Sequence, residues 1–214
     1  AIHFAIKNNH YNIVKYFGEL HKSKGINLLN TTFKGASECE LPISVALSEF
    51  CDYSIIEYLV NDYRVNLNIS DERKYPLHYL LQLKYNFTNN CKKQMLKKYS
   101  LNSSFKNFYE YFFANLYTVV SLLDNHMKLN NILKCVEIYK KYSSLSELTQ
   151  NDDLYHSIIT IGFQLERTVE PLKLLLKNGA EPNLKTSSIW KNEPDLNVPD
   201  FLINEIICFF EMIE

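Results

Sequence analysis

Glycine and proline are scarce: the 214 residues hold only 5 and 6 of them. That excludes a collagen-like or glycine-linker chain and weighs against a sheet protein with many tight turns. Arginine is scarcer still, since of 23 basic residues only Arg64, Arg73 and Arg167 are arginine. With 24 acidic residues the formal net charge is −1, which removes the electrostatic case for a nucleic-acid binder. The cysteines (Cys39, Cys51, Cys91, Cys135, Cys208) are odd in number and widely spaced, with no C-x-x-C. Reduced thiols in a cytoplasmic protein are the simplest reading. No apolar run approaches the ~18–20 residues that span a bilayer, and no charged-then-apolar leader opens the chain. No membrane insertion of this segment is expected.

Motifs of chemistry are missing as well. There is no G-x-S-x-G, no phosphate loop and no G-x-G-x-x-G. Ser103-Ser104-Phe105-Lys106 matches S-x-x-K by letters but lacks every companion motif of that enzyme class. The six histidines (His3, His10, His21, His78, His126, His156) form no H-x-x-x-H pair with metal-ligand spacing. Glu166 and Glu170 read as an ordinary carboxylate pair on a solvated helix face. The N-x-S/T matches at Asn30, Asn68, Asn86 and Asn102 are chance in an asparagine-rich chain. No catalytic residue, cofactor or metal is expected, and the chain reads as a non-enzyme.

What is present is an ordinary globular composition, 46% hydrophobic and 22% charged. Lysine, asparagine, isoleucine, tyrosine and phenylalanine are abundant, as in products of AT-rich genomes. Internal similarity is the main signal. Three segments look alike: Ala1 to Phe17, Pro42 to Val60, and Asp71 to Leu81, with Pro42 and Pro76 34 residues apart. A fourth unit joins a short helix candidate, Tyr155 to Phe163, to Val169-Glu170-Pro171-Leu172-Lys173-Leu174-Leu175-Leu176-Lys177-Asn178-Gly179-Ala180-Glu181-Pro182-Asn183. The chemistry of the pattern is readable. Pro76 suits the first turn of a helix, where its missing N–H costs nothing. His78 follows where an imidazole can bond loop backbone. Ala5 and Ala46 let two helices approach closely, and Gly179 can end a helix in left-handed geometry.

The opening stretch resembles T-P-L-H-x-A-A-x-x-G-H-x-x-I-V, with Ile2, His3, Ala5, His10, Ile13 and Val14 in register. The stretch 169–183 resembles the close of the same motif. The chain is thus similar to the ankyrin-repeat family, in the divergent, insertion-rich form of poxvirus ankyrin proteins. Asp71 to His78 is similar to their D-D-G-N-Y-P-L-H. The resemblance implies an all-α solenoid of stacked helix-turn-helix units with insertions. The units fall at about 1–30, 42–68, 71–130 with an insertion at 84–113, 131–183, and a partial unit 184–214. It also implies protein–protein interaction through a concave surface. Contacts are expected just before each helical Pro-Leu position: Glu38, Cys39 and Glu40; Glu72, Arg73 and Lys74; and Asp152 and Asp153. Two other roles for such an array stay open. One is the target-recruiting part of a ubiquitin-ligase adaptor. The other is the cytosolic ankyrin segment of a larger signalling or membrane protein.

Two stretches need separate readings. In 91–117, Lys92, Lys93, Lys97, Lys98 and Lys106 mix with Phe105, Phe108, Tyr109, Tyr111, Phe112, Phe113 and Tyr117. Phe108, Phe112, Leu116, Val119 and Leu123 recur at helical spacing, so a core stripe preceded by a solvated loop is favoured over base stacking. The segment 200–214 is apolar nearly all round its helix, unlike a terminal repeat with a polar outer face. A longer natural array, entered in mid-repeat and continuing beyond Glu214, is the expectation.

Overall fold

The computed structural model describes residues 1–25, 29–30, 32–34, 39–71, 74–83, 105–123, 126, 131, 133–134, 136–138, 140, 152–186 and 195–213. Side chains are described for these except 33–34, 39–40, 105–110, 152–156, 159 and 212–213. Among the described residues the chain is all-α apart from one two-residue ladder. The helices are α1 (Ile2–Lys7), α2 (Tyr11–Lys24), α3 (Pro42–Ser48), α4 (Tyr53–Glu57), α5 (Pro76–Leu81), α6 (Phe105–Leu122), α7 (Asp152–Lys177) and α8 (Val198–Ile213). A π-helical turn, Tyr58–Asp62, continues α4. Strands β1 (Phe33–Lys34) and β2 (Cys39–Glu40) pair antiparallel, Phe33 opposite Glu40 and Lys34 opposite Cys39.

The chain forms two compact units. One holds Ala1–Leu81 and Glu170–Val198, the other Gln82–Val169 and Pro199–Glu214. These divisions cut the chain at other places than the units read from sequence at 71–130, 131–183 and 184–214: the chain leaves the first unit after Leu81 and rejoins it at Glu170.

The first unit is built of helix pairs in layers. Pro42 and Pro76 open α3 and α5, where a fixed φ and no required donor suit proline. In the first two layers the inner helix ends on a left-handed residue, Asn9 (φ 55°) or Phe50 (φ 50°). The next amide then folds back onto a buried alanine carbonyl: His10 N–H donates to Ala5 O (2.8 Å) and Cys51 N–H to Ala46 O (3.1 Å). Helix α3 packs on both α1 and α5, and α2 packs on α4. The last turn of α7 takes the outer place in the third layer. Two asparagines show the equivalence. Asn30 Oδ1 accepts from Asn66 N–H (2.9 Å), and Asn68 Oδ1 accepts from Glu181 N–H (2.9 Å). Asn66 and Glu181 each stand two residues past a left-handed helix end, Arg64 (φ 51°) and Gly179 (φ 85°). Leu172 and Leu175 are fully buried there.

In the second unit the stripe Phe112, Leu116, Val119 and Leu123 is core, each at most 2% exposed. Phe112 lies edge-on to Phe210 (5.6 Å between ring centroids) and stacks on Phe209 (6.5 Å) of α8. Gly162 of α7 admits the Tyr111 ring, which a Cβ would meet at 3.2 Å.

Three sequence readings are corrected here. The separate helices expected at 155–163 and 169–183 are one continuous helix of 26 residues. Gln164 to Thr168 holds no glycine or proline to end a helix, and Thr168 Oγ1 donates back to Gln164 O (2.7 Å). Pro171 sits inside α7 and removes only one ladder bond. Glu166 is half-buried and accepts the Tyr111 hydroxyl at 2.5 Å, so it is no solvated bystander. Glu170 does face solvent, paired with Lys173 at 2.7 Å. Finally, α8 has a polar edge: Asn204, Cys208 and Glu211 are exposed, because they fall on one side at helical spacing.

Candidate interaction surface

Two loop tips lead into the inner helices of the first unit, and they hold most of the sequence-read contact positions. The first tip is the β1–β2 ladder. Cys39 and Glu40 form β2 and hand the chain directly to Leu41, which caps α3 in extended conformation (φ −75°, ψ 145°). Glu38 lies outside the described residues.

The second tip is the turn before α5. Its closure is a backbone bond from Asp71 N–H to Lys74 O (3.2 Å). Glu72 and Arg73, at the apex, lie outside the described residues. Lys74 is half-buried, with its ammonium 5.8 Å over the Tyr79 ring, a distance suited to cation–π attraction.

The turn is anchored from beneath by two buried groups. Asp71 is only 3% exposed, and its Oδ1 accepts the Tyr79 hydroxyl at 2.9 Å. Burial raises the pKa of this carboxyl, against the Tyr79 hydroxyl, which favours the charged form. The Ser44 hydroxyl of α3 and the Leu41 amide pull weakly the same way as Tyr79. Neither Ser44 Oγ nor Asp71 Oδ2 completes a hydrogen bond. Asp71 thereby ties the second tip to the start of α3.

His78 is the second anchor, fully buried on α5. Its Nδ1 accepts from Tyr75 N–H (3.4 Å) and its Nε2 lies 3.1 Å from Leu196 O. Those partners assign the proton to Nε2. Burial pushes the imidazole pKa down to about 4, and the Lys74 charge adds to that. The ring is therefore neutral at pH 7 and joins α5 to a segment 118 residues away. The Leu196 amide in turn bonds Thr186 Oγ1 (3.0 Å), and Val198 N–H donates to Pro182 O (3.0 Å).

Asp152 and Asp153 open α7 and belong to the second unit. The structure therefore groups 39–40 and 74 on one unit and puts 152–153 on the other. Sequence reading singled out the tip residues but missed Asp71 beneath them. The available signal was an aspartate five residues before a helix-opening proline.

Among the described residues, no group of three or more His, Cys, Asp or Glu side chains could hold a metal ion. Cys51 and Cys208 are free thiols. Cys51 Sγ donates to Ile6 O at 3.1 Å between the first two layers. No helix among the described residues is long and apolar enough to cross a membrane. No protein-family model, curated protein or solved structure matches the chain.

Proposed function

We propose that the chain is a non-enzymatic protein-interaction module of ankyrin-repeat type, binding a partner protein through the tips that precede its inner helices. The observation that carries this reading is the layered first unit. Three inner helices stand in a row, and buried groups rather than the exposed tip side chains fix the tips. Such a scaffold supports binding because the loops are preordered, which lowers the entropy lost on association. Tip residues are then free to vary in chemistry without disturbing the layers. The sequence resemblance adds the family name and the intracellular, cytoplasmic setting.

Glu72, Arg73 and Lys74 are the residues on which the reading rests most directly. The test is affinity capture of the intact protein followed by mass spectrometry, run beside the triple alanine variant of those positions. The reading expects a partner set held by the parent chain and lost by the variant, with circular dichroism unchanged. Equal capture by both chains would remove the tips from the interaction.

A further inference from the structure

The outer helices of the first unit can be compared position by position. Tyr11-Asn12-Ile13-Val14-Lys15-Tyr16-Phe17 of α2 matches Tyr53-Ser54-Ile55-Ile56-Glu57-Tyr58-Leu59 of α4 and the π turn. Both start one residue after the helix N-cap, His10 or Asp52. The pattern is shared but the burial is not. Ile55 is 0% and Tyr58 5% exposed, whereas Ile13 is 46% and Tyr16 58% exposed. The inner row behaves alike. Phe4 O accepts from Asn8 N–H as Val45 O accepts from Glu49 N–H, yet Phe4 is 69% exposed and Val45 0%. The third layer follows the second. Allowing for the residue that a π turn adds, Pro171 and Leu174 stand where Ile55 and Tyr58 do, and both are buried.

The preceding layer is what buries these positions. The Tyr58 hydroxyl donates to Lys15 O (3.3 Å), and its ring lies edge-on to Tyr11 (5.8 Å). Gly18 makes room, since a Cβ there would come within 2.3 Å of the Tyr58 oxygen. Ile13 and Tyr16 lie on the side of α2 opposite Val14 and Gly18, which face the second layer. Single exposed apolar residues need no explanation. Three at positions buried in both other layers do.

We propose that Phe4, Ile13 and Tyr16 form a stacking face covered by a further helix pair of the same polypeptide, preceding Ala1. The existing interface defines the occupant's chemistry. Its outer helix carries a small residue in the place of Gly18, to admit the Tyr16 ring. A backbone carbonyl beside it takes the Tyr16 hydroxyl, as Lys15 O takes that of Tyr58. A second copy docked through the same face would set these residues against themselves and supply neither feature. The proposal depends on the equivalence of the layers alone and goes beyond the partner-binding role.

Reading the messenger upstream of the Ala1 codon, and expressing the chain with its native extension, tests this. Tyr16→Lys should shift the Tm of the 214-residue chain by no more than about 1 °C and lower that of the extended chain by about 4 °C or more. Sedimentation should show the shorter chain monomeric with or without the substitution. An initiator Met directly before Ala1, or equal Tm changes in both chains, would overturn the proposal. A dimer of the shorter chain that Tyr16→Lys dissociates would also overturn it, in favour of a second copy.

Discussion

His78→Gln probes the buried anchor of the second tip, and its pH dependence can be worked out in advance. The imidazole titrates near 6.5 in an unfolded chain and at about 4 in the fold. At pH 7 neither state binds the proton. As the pH falls through 6.5 the unfolded chain takes it up first, so stability drops, and the drop ends only near pH 4. The contribution is thus fully present above pH 6.5 and lost on acidification. Between pH 7.5 and 4.5 the two pKa values give a loss of about 2.5 kcal/mol at 1.36 kcal/mol per unit. That is a large part of a typical 5–15 kcal/mol. Asp71 acts the other way, because its raised pKa makes the fold take up a proton before the unfolded chain does. That gain is present at low pH and is lost as pH rises through the raised value. Glutamine at 78 keeps a donor for Leu196 O and has no titration. At pH 7.5 the variant should be less stable by about 1–2 kcal/mol, from the weakened bond to Tyr75 N–H. Urea midpoints by circular dichroism across this pH range should show the gap closing and then reversing as the pH falls. Parallel curves for the two chains would refute the buried neutral imidazole.

Other substitutions test the packing. Gly18→Ala gains about 1 kcal/mol of helix propensity but sets a Cβ 2.3 Å from the Tyr58 oxygen and 2.9 Å from a Tyr63 ring carbon. Overpacking of that kind costs about 1–3 kcal/mol, so a net loss is expected in thermal melts, and a higher Tm would show that both rings yield freely. Arg64→Gly relieves a left-handed residue (φ 51°) at the place where the other outer helices end in Gly25 and Gly179. A gain of about 0.5–1 kcal/mol should follow in urea unfolding, and a loss would place the strain elsewhere. Phe112→Ala, at a fully buried ring, should cost about 3–5 kcal/mol. A neutral result would return α6 to an exposed stacking role.

Much of the first unit was legible in the sequence because its punctuation is local. Pro42 and Pro76 mark helix starts, Gly179 marks a helix end, and Ala5 and Ala46 mark close approaches. Arg64 was not legible as a helix end, since nothing in its side chain favours left-handed backbone. The π turn after Glu57 leaves no residue signature either. The unbroken course of α7 was hidden for the opposite reason: a repeat template supplies a turn between 163 and 169 that the residues themselves lack. The pairing of α5 with the last turn of α7 was beyond reach, because sequence similarity ranks segments by likeness and not by which of them meet. At the candidate surface the tips could be named, but Asp71 and Leu196 act through burial and distant backbone, which no spacing encodes.

The interruption of the third layer also sets a schedule for synthesis. The first two layers are complete once residue 68 has left the ribosome, and they can close by local contacts. Helix α5 emerges soon after but must wait for Glu170 to Val198, which supply its outer helix and the carbonyl that His78 bonds. At ~5–20 residues per second that wait is on the order of 5–20 s. During it the apolar positions Leu77, Leu80 and Leu81 stay partly uncovered, an interval in which a chaperone, rather than the fold, would hold the chain.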